Sequence, residues 1–341
     1  MSGISVADLV LKVLVETKTG KKIHVGGLQG GGVAPAKVGA FTPDGRKLPA
    51  KVDLRPWMSR VEDQSQANSC SANAVVGAYE YLQKKGHGAW TDMSRLFVYW
   101  HARRFDRIPT DAGSSITSNL RTLQEFGVCP ESVWGYDLRR VNAEPPSAAL
   151  DSARKYRAEE AMRVPVSLGA MRGCLAEGYP IVFGLALFNT FDKAGRAGVV
   201  PMPDFTSDQG RKQHGCHAML AVGYSDKDRV FVVRNSWGEG WGDKGYCYIP
   251  YDYLANPKLA GDLWTLRDVT DVDLSKDVAD EDRGFNLDYG SLEGSSGYLF
   301  ETLESIEDAV RRGMAAAQAQ QHAGGAMDAA LAAAMAAAKK K

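Results

Sequence analysis

The chain has 341 residues, room for two compact units or one large domain with extensions, and its 44% hydrophobic and 24% charged residues are ordinary globular composition. That excludes a mainly disordered, collagenous or coiled-coil chain. Lys+Arg and Asp+Glu stand equal at 41 each, so no excess charge draws the chain to a phosphate backbone, and nucleic acid is not expected as a partner.

Taken in chain order, residues 1–47 read as an N-terminal arm, with one short apolar stretch from Val6 to Val15 and then Gly26, Gly27, Gly30, Gly31 and Gly32. The start carries Asp8, Lys12 and Glu16 and lacks a basic leader, so no secretory signal is expected. No run reaches the ~18 apolar residues of a membrane span, so no membrane is expected either. Dense apolar segments separated by turn signals predict a folded domain over 48–269. Its first half reads as helical: small and apolar residues recur at helical spacing from Ser69 to Lys85, ending at Gly86, and from Ser118 to Phe126, ending at Gly127. Its second half reads as strands over Pro180–Phe188, His217–Tyr224, Arg229–Arg234 and Gly245–Ile249. A helical half followed by a strand half predicts an α+β architecture with a cleft between two lobes. Acidic residues crowd Asp271 to Asp282, which predicts a linker over 270–298. The last segment, 299–341, reads as an Ala-rich helical tail ending in Lys339, Lys340 and Lys341, either solvated or docking a protein partner.

Four residues far apart in sequence make chemical sense together. Cys70 opens a helical run after Asn68-Ser69, where unpaired amides and the helix dipole favour a thiolate. A thiol nucleophile needs a base, and His217 opens a predicted strand; Asn235, ending the next strand, can accept the other imidazole N–H and fix the ring. Gln64, six residues before Cys70, can turn its amide N–H toward the oxygen of a tetrahedral intermediate, beside the Cys70 backbone N–H. Taken singly, each has a plainer reading: packed cysteine, core histidine, turn asparagine, surface amide. Gly240-Trp241-Gly242-Asp243-Lys244-Gly245 matches a dinucleotide fingerprint in letters only, because the strand-like Tyr246-Cys247-Tyr248-Ile249 follows instead of a helix. Cys129, Cys174 and Cys247 sit among apolar residues and read as packing, and Cys216 beside His217 lacks the second spaced pair that a metal site needs. No metal or organic cofactor is expected.

These residues resemble the papain family of cysteine peptidases, over about 48–269. Asn235-Ser236-Trp237-Gly238-Glu239-Gly240-Trp241-Gly242 is similar to the family's N-S-W-G-x-x-W-G, and His217-Ala218 leading into Val222-Gly223-Tyr224 is similar to its histidine strand. Val52-Asp53-Leu54-Arg55 resembles the start of the mature enzyme. Ser69-Cys70-Ser71-Ala72-Asn73-Ala74, Asp111-Ala112-Gly113-Ser114-Ser115-Ile116 and Gly127-Val128-Cys129-Pro130-Glu131-Ser132-Val133-Trp134 look most like the branch found in bacteria and large DNA viruses.

The resemblance implies a two-lobed fold, a helical lobe followed by an antiparallel β lobe, and an endopeptidase that cleaves through a Cys70 thioester. It assigns His217 as acid and base, Asn235 as its orienting partner, Gln64 to the oxyanion hole and Trp237 as cover for the His217–Asn235 bond. It also implies that backbone near Gly113 and Ser114 pairs with an extended peptide or protein substrate. Gly184, Met202 and Gly215 would border a pocket for a bulky apolar side chain two positions before the scissile bond. Ala67 stands where a family half-cystine would be, and no cysteine lies between Cys70 and Cys129 to pair with one, which points to a reducing, cytoplasmic setting. The arm is shorter than the family's usual prosegment and lacks its long helical pattern. Two alternatives keep the same fold: a catalytically idle scaffold subunit of a larger assembly, and an acyl transferase using the same thiolate.

Overall fold

Serine hydroxyls cap two of the three helices that build the first lobe. Helix α1 (Cys70–His87) is followed by α2 (Arg95–Phe105) and α3 (Ile116–Glu125), and the hydroxyls of Ser94 and Ser115 accept from the amides of Phe97 and Ser118 to cap the last two. The cap at Ser115 starts α3 before the predicted Ser118. Helix α1 runs past Gly86 because the left-handed residue that stops it is Gly88, φ +72°, whose amide closes on the Lys84 carbonyl. Val75, Val76, Leu82, Leu96, Phe97, Leu120 and Leu123 are buried between the three helices and the sheet. Three short helices, α4 (Ser147–Ala153), α5 (Leu168–Ala176) and α6 (Tyr251–Leu254), complete the set. The structure is a computed structural model that describes residues 13–16, 22–204, 213–267 and 274–279. The predicted C-terminal tail lies outside the described residues.

A short antiparallel pair, β1 (Val13–Glu16) with β2 (Lys22–Val25), precedes the main sheet. That sheet is formed by β3 (Val38–Ala40), β4 (Lys51–Asp53), β5 (Glu160–Arg163), β6 (Ile181–Phe188), β7 (Gln213–Ser225), β8 (Val230–Arg234), β9 (Tyr246–Pro250) and β10 (Ala260–Arg267). Their order is β3-β5-β10-β6-β7-β8-β9, with β4 along β7, and every pairing is antiparallel except β3 with β5. Strand β6 is buried at every residue, as its unbroken Ile-Val-Phe-Gly-Leu-Ala-Leu-Phe run demands of a strand covered on both faces. The arm supplies β3, and Phe41 just after it is buried. Within the stretch predicted as a linker, Leu274 and Val278 are also buried, and the Val278 carbonyl accepts the Asp53 amide.

A buried ionic cluster joins the helices to the sheet. Arg95 pairs with Glu80 at 2.7 Å, both almost fully buried, and the other Glu80 oxygen accepts the Met93 amide. Ser59 bridges Glu80 to Arg234 at the end of β8. This clamps α1 against β7 and β8, which puts the first turn of α1 beside the strand that carries His217.

Candidate active site

Cys70 is the first residue of α1 and His217 lies on β7, where the register sets His217 opposite Leu185 and Ala218 opposite Gly184. Both side chains are fully buried. Asn235 follows β8, and its Oδ1 lies 2.8 Å from His217 Nε2. The same Oδ1 accepts the Ser236 amide at 2.8 Å, which fixes it as the oxygen and makes His217 Nε2 the protonated nitrogen. His217 Nδ1 is therefore bare, and it has no hydrogen-bond partner among the described residues, so it keeps a lone pair for a thiol proton. Trp237 is 5.0 Å from the imidazole, ring centre to ring centre, with Trp241 and Phe191 packed on it, so the His217–Asn235 bond is walled from water.

Gln64 is pinned at four groups. Its amide donates to the Ser236 carbonyl at 2.8 Å, its Oε1 accepts from Ser236 Oγ at 2.5 Å, its Nε2 donates to the Ala67 carbonyl at 2.9 Å, and its carbonyl accepts from the Tyr136 hydroxyl at 3.0 Å. Nε2 carries a second hydrogen that these bonds leave over. The loop before Cys70 is tied to the loop between α2 and α3 as well: Asp111 accepts the Asn68 amide on Oδ1 and the Asn68 side-chain amide on its carbonyl, both at 2.9 Å. The Tyr99 hydroxyl donates to Asp111 at 2.6 Å and accepts the Gly113 amide at 2.9 Å, so the loop holding the thiol and the strand edge at 113–114 are positioned together.

That edge is occupied by the arm. Leu28 forms a parallel bridge with Ser114: the Gln29 amide donates to the Ser114 carbonyl, the Ser114 amide donates to the Gly27 carbonyl, and the Leu28 amide reaches the Cys216 carbonyl at 3.4 Å. A Cβ on Gly113 would lie 2.0 Å from the Gly27 carbonyl oxygen, and one on Gly27 would lie 2.7 Å from the Asn68 carbonyl oxygen, so two glycines permit the fit. Gly184 is buried in β6 opposite Ala218, and Gly215, φ +96°, precedes the carbonyl that receives Leu28. Met202, also expected from sequence to border the substrate, is half-buried in the segment 201–204.

With the arm in place, burial pushes the Cys70 thiol up to about 11, against the amides of Ala218, Ser71 and Cys70 itself, which favour the thiolate. Burial also pushes His217 down to about 4, against the bond to Asn235. Burial thus pushes both groups toward their neutral forms, opposite to the pull toward thiolate expected from the helix terminus. Tyr99 and Tyr136 carry no local signal in sequence that marks them as parts of the site, and Asp111 lies in a run that resembles the family without its own role being readable there; only the fold brings the three to it.

A model described as papain family cysteine protease matches residues 48–258. The chain belongs to the papain family of cysteine proteases. It is a hydrolase and a cysteine peptidase, and its helices and mixed sheet make the two-lobed α+β fold of that family. An uncharacterized peptidase C1-like protein of Acanthamoeba polyphaga mimivirus is 35% identical over 221 residues, covering 61% of this chain and 70% of the viral protein. Peptidase 1 of Psoroptes ovis is 25% identical over 222 residues, 63% of each chain. Among solved structures, xylellain, a cysteine protease from Xylella fastidiosa, aligns with a TM-score of 0.62 and 31% identity over 76% of this chain and 99% of its own. No helix among the described residues is long and apolar enough to cross a membrane.

Proposed function

We propose that this papain-family member is a cysteine endopeptidase whose nucleophile is Cys70 and whose closed state is held by its own arm. The observation that carries the reading is the fixed tautomer of His217: Nε2–H is committed to Asn235, and bare Nδ1 is the base available to the thiol. In the opened cleft Nδ1 takes the thiol proton as sulfur attacks the peptide carbonyl. The oxygen of the tetrahedral intermediate is held by the spare Gln64 Nε2–H and the Cys70 amide. His217 then gives the proton to the leaving amine, a thioester remains, and water deprotonated by His217 hydrolyses it to an acid and the free thiol. The Ser114 backbone, which now pairs with the arm, is the edge an extended substrate would use, and burial of Leu28 there supports a preference for an apolar side chain. A reducing, cytoplasmic setting is supported by the five cysteines, none of which joins a disulfide.

The test is digestion of a defined peptide mixture in the presence of a free amine, with products weighed by mass spectrometry. Internal cuts bearing new carboxylates, lost in Cys70→Ser, are the expected result. Amide products with the amine attached would identify a transferase, and no products from chain whose arm has been displaced would identify an idle scaffold.

A further inference from the structure

Among the hydrogen bonds around the site, one series has a single allowed direction. The hydroxyl of half-buried Tyr136 lies 3.0 Å from the Gln64 carbonyl, which can only accept, so Tyr136 must donate there. Its oxygen is then left to accept, and Ser69 Oγ stands 2.6 Å away to donate. Ser69 Oγ in turn accepts from Asn73 Nδ2 at 3.1 Å, and the same Nδ2 donates to the Ser69 carbonyl at 3.0 Å, which fixes the orientation of the Asn73 amide. The hydrogens therefore run from Asn73 to Ser69 to Tyr136 to Gln64. The series ends at Gln64, whose spare Nε2–H is the proposed first oxyanion donor. It passes through Ser69, the residue whose peptide bond supplies the second proposed donor, the Cys70 amide.

We propose that Tyr136 is a positioning residue that sets the distance between the two oxyanion donors. The inference rests on the reading of Gln64 and the Cys70 amide as those donors. Tyr136 sits in a loop and touches neither the thiol nor the imidazole through any of these bonds. Its own backbone is anchored, because its amide donates to the Glu131 carboxylate. The hydroxyl thus works as a fixed spacer from outside the cleft, bridging two segments that the chain itself separates only by Ser65, Gln66, Ala67 and Asn68. A donor pair held this way needs no rearrangement when charge develops, which is where such donors gain their effect.

The experiment measures the full chain's affinity for a peptide aldehyde and for the matching alcohol. The Cys70 sulfur adds to the aldehyde carbon and the thiol proton passes to His217 or to the new oxygen, so the adduct places an oxygen between the donors; the alcohol cannot form it. Competition from the arm weakens both ligands alike and cancels in the ratio. Tyr136→Phe is expected to reduce the aldehyde-to-alcohol preference about 5–10-fold, as loss of one neutral hydrogen bond would. In a Gln64→Ala background the same change is expected to cost less than about twofold, because the spacer then has nothing to place. Ser69→Ala, which removes the middle link, is expected to reproduce the loss and serves if Tyr136→Phe does not fold. An unchanged preference in folded Tyr136→Phe, or a full independent loss on top of Gln64→Ala, overturns the proposal. An unchanged preference in Gln64→Ala overturns the donor assignment beneath it instead, so the two failures are distinct.

Discussion

At the scale of single residues, burial and hydrogen bonding pull the Cys70–His217 pair in opposite directions, and with the arm in place burial wins. A histidine held near 4 in the folded chain and near 6.5 when unfolded makes stability depend on pH with a definite sign. Above 6.5 both states hold it neutral. Between 6.5 and 4 the unfolded chain takes up a proton that the closed fold does not, so stability is lost as pH falls through that window. His101, also pushed down by burial, adds to the same trend. Thermal unfolding at pH 7 and pH 4.5 should therefore show a larger acid loss for the native chain than for His217→Gln, and equal losses would remove His217 as a cause. Cys70, His217 and Asn235 were legible in sequence because each carries a local signal: a helix start, a strand start, and the run Asn235-Ser236-Trp237-Gly238. Tyr136 and Asp111 were not, because their role is a relation to Gln64 and Asn68 across 72 and 43 residues of chain.

At the scale of elements, the arm does more than precede the domain. It lies along Ser114 in the cleft, passes Gly31, whose carbonyl accepts from Thr117, and enters the sheet as β3. The Gly-rich composition was readable as an arm, but its course was not, since a glycine's value here is the space it leaves for another segment's backbone. That space gives a test confined to the arm. Gly27→Ala would bring a Cβ to 2.7 Å from the rigid Asn68 carbonyl oxygen, and Gly32→Ala would strike Ser115 at a φ of +85°. Each is expected to lift the arm and raise peptide turnover several-fold relative to the native chain. Unchanged turnover in both would show that the arm does not restrain the site. The strands β6 to β9 were legible because each is a short apolar run with turn residues at its ends. By contrast, β3, β5 and α4 are short and mixed in composition, and only tertiary pairing or packing selects them.

At the scale of the whole molecule, the cleft exists because two lobes are locked at one angle, and the buried Glu80–Arg95 pair with Ser59 and Arg234 makes that lock. Removing Glu80 takes away the charged hydrogen bonds that tie Arg95 and Ser59 together but leaves Arg95 with Asp92 at 2.7 Å and Glu62 at 3.7 Å, so the cost is about 2 kcal/mol, less than that of a fully unpaired buried charge. Glu80→Ala should therefore lower the melting temperature by about 4–8 °C. A change of only a degree or two would show that the lobes are held elsewhere. The α+β order of helices and strands was readable from the sequence, whereas this lock was not, because its members come from four segments and each alone reads as an ordinary surface charge or hydroxyl. Peptide cleavage by this chain requires Cys70 to become an activated thiol once the arm leaves. Iodoacetamide labelling of Gly27→Ala at about pH 5.5, read by mass spectrometry at every cysteine, tests it most directly, because a thiol of ordinary pKa is only about 0.1% ionised there. Cys70 is predicted to label far faster than Cys129, Cys174, Cys216 and Cys247 in that variant and slowly in the native chain. A Cys70 that labels readily at about pH 9 but no faster than the other four at pH 5.5 would contradict it.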